Sequence, residues 1–183
     1  MKEYFAMLKE NMKALTNVRV LVGVSLFCAL NVVLNLYSIQ LTSTIKISFA
    51  SLTVAASCYF YGPCPNVVAA FVLDVVNYVM KPTGPYQPWF AVSAMVVALI
   101  YGLLFYKQEK VSFTRIVIAR ILYMVVVNLM LNSLWLSMMY GDSWFALVGA
   151  RLFKNIAEFP FQVALLYACL RVCERIKPRL HIH

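Results

Sequence analysis

Between Arg19 and Lys46 the chain runs for 26 residues without a formal charge, most of them apolar. A stretch of that length and character matches the hydrocarbon thickness of a bilayer. Further long apolar runs cover 47–80, 89–106, 113–140 and 144–172, broken by short polar or proline-rich connections. The 183 residues are 63% hydrophobic and 13% charged, with a mean hydropathy of +0.79. A soluble domain of this size could not hide so much apolar surface in one core. A transmembrane β-barrel would alternate apolar and polar residues, and these runs do not alternate. The sequence therefore predicts an all-α polytopic membrane protein: a single bundle of six transmembrane helices.

Three regions are expected. Residues 1–17 form an amphipathic cytoplasmic lead, in which Tyr4, Phe5, Met7, Leu8 and Met12 interleave with Lys2, Glu3, Lys9, Glu10 and Lys13. This lead is too charged for a signal peptide and suits the membrane surface. Residues 18–176 hold the six-helix transmembrane domain, and 177–183 form a cytoplasmic tail. Within 47–80, Gly62-Pro63-Cys64-Pro65 divides two segments of about 15 residues, roughly 22 Å each as helices. They are read as short spans rather than a re-entrant pair, because helices buried in protein need not match the lipid.

The net charge of +9 reflects membrane orientation rather than nucleic-acid binding, because cytoplasmic loops collect Lys and Arg. With both termini inside, twelve of the sixteen cations fall on cytoplasmic segments: Lys2, Lys9, Lys13, Arg19, Lys107, Lys110, Arg115, Arg120, Arg171, Arg175, Lys177 and Arg179. Only Lys46 and Lys81 fall on outer loops, while Arg151 and Lys154 lie inside the sixth span. The five cysteines include no C-x-x-C pair, and the two histidines, His181 and His183, sit at the very end. The cysteines read as buried hydrophobes in a reducing cytosol; neither metal nor cofactor is expected.

Ionisable groups at membrane depth are costly, so each is a functional candidate. Counting helical rise from the outer ends places Asp74 about 9 Å deep, Asn132 about 10 Å, Arg151 about 12 Å and Lys154 about 16 Å. Three helices thus bring an acid, an amide and two cations to one level in the outer half. Arg151, Lys154, Asn155, Glu158 and Gln162 form one polar stripe on the sixth span; Asn128, Asn132 and Trp135 do the same on the fifth. Two readings stand for Glu158, Asn155 and Asn128: polar glue between helices, or part of a ligand pocket. For Asp74, Asn132 and Arg151 the pocket is the better reading. Trp135 shares the face of Asn132 and is expected to line the pocket, with Tyr86 and Trp89 near its mouth and Trp144 an interface anchor.

There is no G-x-x-x-x-G-K-[ST] loop, so the chain does not hydrolyse ATP itself, and no H-E-x-x-H. An enzyme could work only through Asp74 and Glu158. A channel would want rings of like residues.

The stretch Pro82-Thr83-Gly84-Pro85-Tyr86-Gln87-Pro88-Trp89-Phe90-Ala91-Val92-Ser93-Ala94 resembles the P-T-G-x-x-x-P-G-F-T-L-S-A segment of folate-specific substrate-binding (S) components of energy-coupling factor (ECF) transporters. Residues 131–141, L-N-S-L-W-L-S-M-M-Y-G, resemble that family's L-N-T-L-W-L-S-x-x-Y-G, and Arg151, Lys154, Asn155 and Pro160 match its R-x-x-K-N…P pattern. Trp89, Ala91 and Ser133 depart from it, and Trp89 adds bulk at the mouth.

The resemblance implies a folate or reduced folate as ligand. The partners would be a transmembrane coupling protein and two ABC-type ATPases, in the plasma membrane of a prokaryote with both termini cytoplasmic. It implies docking through small residues on the first span, here Ser25 and Ala29. On this reading Asp74 accepts two hydrogen bonds from the pterin edge, Asn132 reads the groups beside it, and Trp135 or Tyr86 stacks on the ring. Arg151 and Lys154 meet carboxylates or the pterin oxygen, Lys46 and Lys81 make the mouth positive, and the 40–46 connection acts as a lid. The alternatives are an S component for another vitamin such as thiamine, for which the basic stripe is awkward, a small intramembrane enzyme acting on lipid or isoprenoid substrates, and a purely structural subunit.

Overall fold

The computed structural model describes residues 2–36, 39–40, 46–47, 49–80, 86–108, 110–141 and 143–177. Helix α1 (Lys2–Lys13) and a 3-10 turn (Ala14–Thr16) lead into α2 (Val18–Leu36). A two-residue antiparallel pairing follows, Ile39–Gln40 with Lys46–Ile47. Then come α3 (Ala50–Tyr61), α4 (Pro63–Met80) and α5 (Trp89–Phe105). Helix α6 (Phe113–Leu122) continues without a break through a π-helical stretch (Tyr123–Leu131) into α7 (Asn132–Tyr140), and α8 is Trp144–Ile176. Residues 41–45 of the expected lid, Lys81 and the tail beyond Lys177 lie outside the described residues.

The proline hinge is built as the sequence suggests, and its partner is a surprise. Gly62 adopts φ 84°, a left-handed conformation that glycine tolerates, and Pro63 opens α4 with its fixed φ. Such a tight reversal leaves backbone groups that must find partners. Asn11 supplies both: its Nδ2 donates to the Tyr61 carbonyl at 2.9 Å and its Oδ1 accepts from the Cys64 amide at 2.8 Å. A Cβ on Gly62 would run into that same side chain. Residue 11 is 2% exposed, so α1 docks on the bundle rather than simply lying on a lipid surface. Lys107 Nζ adds a 2.6 Å bond to Glu10, and the ammonium holds the Glu10 carboxyl below its ordinary range.

Helix α3 runs antiparallel beside α2. Near one end Asn31 Nδ2 donates to the Ala50 carbonyl at 2.8 Å and to Thr53 Oγ1 at 2.7 Å. Near the other, Tyr61 fills the space left by the missing side chain of Gly23. Its 12 residues make about 18 Å of helix, alongside the α2 segment from Gly23 to Asn31.

The packed core occupies the end near α1. Tyr59, Tyr101, Phe105, Ile116, Leu166 and Leu170 are fully enclosed there, with Ala55, Cys58, Ala98 and Ala119 keeping the helices close. Gly102 lets α5 lie directly on the start of α4: an added Cβ would sit 2.6 Å from Pro63 Cα. Glu174 clips α8 to the α5–α6 connection by accepting the Val111 amide at 2.6 Å. Large apolar side chains such as Leu26, Val33, Phe71, Met130 and Phe153 face outward, as they do when lipid is the solvent. At the opposite, far end the helices splay around a cavity.

Candidate ligand cavity

That cavity measures about 680 Å³, within the range that holds organic ligands. Every helix from α2 to α8 contributes a wall. Asn31 comes from α2, Ser51 and Val54 from α3, Leu73, Asp74 and Asn77 from α4, and Phe90, Ser93 and Val97 from α5. The α6–α7 rod adds Arg120, Tyr123, Asn128 and Asn132, and α8 adds Arg151, Lys154, Asn155, Glu158 and Gln162. Counting charges in the lining gives three cations (Arg120, Arg151, Lys154) against two acids (Asp74, Glu158), a net +1. Such a site favours an anionic solute.

The polar stripe on α8 faces inward, as helical spacing requires. Asn155 links it to the neighbouring rod: Asn128 Nδ2 donates to its Oδ1 at 3.0 Å, and its own Nδ2 donates to the Arg151 carbonyl at 2.9 Å. Asn132 Nδ2 reaches Asn128 Oδ1 at 3.4 Å. The asparagines are thus glue between helices and cavity lining at once. The π-helical turn, whose bonds run i→i+5, keeps Tyr123, Asn128 and Asn132 on the cavity side despite spacings of five and four residues. Lys154 and Glu158 lie 3.9 Å apart, attracted but not hydrogen-bonded.

Of the residues singled out from the sequence, Asp74, Asn132, Arg151 and Lys154 come together on the cavity wall. Tyr86 stands at the mouth and donates its hydroxyl to Asp74 Oδ2 at 3.3 Å, with its ring against Tyr78. Trp135 is placed differently from expectation. Its indole stacks on Trp89 with centroids 5.4 Å apart, and its Nε1 donates to Ser93 Oγ at 3.0 Å. Ser93 is among the residues that line the cavity, and Trp135, bonded to it, is not. The Lys46 side chain lies outside the described residues. Ser25 and Ala29 sit on the exposed face of α2, opposite Asn31.

Arg120 corrects the sequence reading. It is not a loop cation but a cavity residue, 8% exposed, bonded to the Tyr101 hydroxyl at 3.2 Å and lying 4.5 Å over the Tyr123 ring. Its place seven residues into an apolar helix could have signalled this. The orientation argument then rests on the other eleven cations. Asn31, Asn77 and Ser93 were also missed as lining residues, although an asparagine inside an apolar span is itself a signal.

Apolar rods enclosing a polar, net-positive cavity define a multi-pass membrane protein that holds a solute. Its family follows from comparison. Residues 19–170 match the family described as "ECF transporter, substrate-specific component", and the chain belongs to that family. It is 34% identical over 157 residues to the folate transporter FolT of Leuconostoc mesenteroides, covering 83% of this chain and 84% of that one. Identity to the folate transporter FolT of Clostridium novyi is 31% over 160 residues, covering 87% and 92%. A crystal structure of FolT bound with folic acid superposes with a TM-score of 0.74 at 31% identity, covering 82% of this chain and 92% of that one.

Proposed function

We propose that this chain is the folate-capturing subunit of an ECF-type transporter. It would take folate from outside the cell and pass it inward with a transmembrane coupling protein and two ABC-type ATPases. The reading places it in a prokaryotic plasma membrane with both termini cytoplasmic. The observation that carries it is the net-positive cavity with Arg151 on its wall, whose guanidinium makes no ion pair among the described residues. Folate has a dianionic glutamate tail and a flat pterin rich in hydrogen-bonding groups, and the lining supplies cations and amides for both. The relatives named for folate transport, at 31–34% identity over most of the chain, support the same ligand. Asp74, Asn132, Arg151 and Lys154 are the contact groups this reading uses, with Tyr86 and Trp89 at the mouth.

Titration calorimetry of the purified chain with folic acid tests this. One site per chain is expected, without ATP, and no transport by the chain reconstituted alone. Tight binding of a cationic vitamin such as thiamine with no binding of folic acid would overturn the reading.

Docking to the coupling protein is assigned to the exposed Ser25–Ala29 face, where small residues let a second backbone approach. Ala29→Trp should leave folate affinity within about twofold of the unsubstituted chain, because nothing in the cavity touches it, and block uptake by cells expressing all subunits. Parallel loss of binding and uptake would move the docking face elsewhere.

A further inference from the structure

We propose that Asn11 is a positioning residue for the ligand cavity, acting through the Gly62 hinge, and that docking of α1 and filling of the cavity favour each other. Helix α1 is then a strap at the closed end of the bundle that sets ligand affinity at the open end. This rests on the folate reading, and folic acid serves as the probe.

The strap is held at Leu8, Glu10 and Asn11. Asn11 gives one end of its amide to each side of the hinge, Nδ2 to the Tyr61 carbonyl and Oδ1 to the Cys64 amide. The Cys64 thiol donates to the Leu8 carbonyl at 3.5 Å, which puts that thiol under α1. Lys107 takes φ 58°, in the left-handed region that side chains disfavour, and from there its Nζ meets Glu10. The Glu10 pair is exposed and contributes little. Asn11 is buried and spans a turn whose backbone groups need partners. An amide offers a donor and an acceptor on separate atoms, whereas a carboxylate of the same size offers acceptors alone.

The inner side of the same hinge leads to the cavity. Asn66 Nδ2 donates to the Gly62 carbonyl at 2.7 Å, and its Oδ1 accepts from Ser57 Oγ at 2.5 Å. One turn away on α3, on the same face as Ser57, Thr53 Oγ1 accepts from Asn31, a cavity residue. Asn31, Thr53, Ser57 and Asn66 are all buried. Beside these pairs lies a second, small hollow that shares Asn31, Val54, Ala70 and Leu73 with the main cavity. A contiguous series of packed and hydrogen-bonded groups therefore runs from Asn11 through the hinge to the cavity wall.

Leverage makes the hinge matter. Both helices that leave it carry lining residues, Ser51 and Val54 on α3 and Leu73, Asp74 and Asn77 on α4. Ser51 lies ten residues from Tyr61, about 15 Å along the helix. A tilt of about 10° at the hinge moves Ser51 by about 3 Å, more than a hydrogen bond tolerates. A ligand that touches both helices fixes the angle between them, and that angle is the one at which Asn11 fits the turn. Coupling of this kind is reciprocal: the factor that the docked strap adds to ligand affinity is the factor that ligand adds to strap docking.

The test uses the full chain in detergent and its own cysteines. Modification by N-ethylmaleimide is followed peptide by peptide: Cys64 reports opening of the strap, and Cys58, enclosed in the core, reports unfolding. In the empty protein Cys64 should react faster than Cys58. Saturating folic acid should slow Cys64 by about 5- to 30-fold. Asn11→Asp keeps the size but sets an oxygen against the Tyr61 carbonyl. It should speed Cys64 and weaken folic acid binding by up to that same factor. The effect of folic acid on Cys64 is read in the unsubstituted chain, so a variant that folds poorly does not remove the test. A Cys64 rate that folic acid leaves unchanged would overturn the proposal. Equal rates at Cys64 and Cys58 would also overturn it, because α1 would then leave only when the whole fold opens. So would an Asn11→Asp chain that frees Cys64 and keeps full affinity. Each of these leaves the folate reading standing. Failure of the unsubstituted chain to bind folic acid would overturn the folate reading and this inference with it.

Discussion

Arg151→Gln is expected to weaken folic acid binding by about 30- to 1,000-fold, the equivalent of roughly 2–4 kcal/mol. A tail-less pterin should lose no more than about threefold, because a group that contacts only the tail contributes nothing to the ring. The asymmetry follows from position. Arg151 lies in the first two turns of α8, on the side of the cavity nearer its mouth. Its guanidinium has no ion pair to lose among the described residues, so the substitution leaves no abandoned acid behind. A guanidinium can grip a carboxylate with two parallel bonds in a partly desolvated site, and glutamine cannot replace the charge. Thermal stability of the empty protein should change little. Displacement assays with folic acid and the pterin on this single variant decide the matter. Equal losses for the two ligands would show that Arg151 does not meet the tail.

The second large effect concerns the fold. Gly102→Ala is expected to destabilise the protein by about 1–3 kcal/mol despite improving helix propensity by about 1 kcal/mol. The opposing effects can be compared directly. A Cβ at residue 102 would lie 2.6 Å from Pro63 Cα and 2.9 Å from its nitrogen, so the obstacle is backbone and not a side chain that can swing aside. Pro63 is itself fixed by the Gly62 turn and by the Asn11 bonds across it. Helices α4 and α5 must therefore separate, and the steric cost exceeds the propensity gain. Because α4 carries Asp74 and α5 carries Ser93, folate affinity should fall as well. The measurement is the unfolding midpoint in detergent. A midpoint equal to or above that of the unsubstituted chain would mean that the helix contact is looser than described.

The sequence alone determined the parts that depend on local chemistry. Apolar run length forced a helical membrane protein, because lipid leaves a backbone no other partner than itself. Gly62-Pro63 marked the break between α3 and α4, because φ limits act within a residue or two. The α8 stripe of Arg151, Lys154, Asn155, Glu158 and Gln162 was legible from its three-to-four-residue step. Counting helical rise put Asp74 and Asn132 at one level, and both line the cavity.

What the tertiary structure alone decided concerns partners distant in the chain. Arg120 reads as one more cation at a helix end, and only Tyr101, nineteen residues earlier, and the Tyr123 ring show it turned into the cavity. Trp135 shares a helical face with Asn132, and only the structure shows its indole stacked on Trp89 and bonded to Ser93, 42 residues away. Asn11 looks like a polar residue on a surface helix until the hinge at Tyr61 and Cys64, some fifty residues on, presents the backbone groups it completes. Periodicity reports which face of a helix is polar because neighbours on one helix have fixed geometry. It does not report which residue of another helix will meet that face, because that choice is made by close packing of the whole bundle.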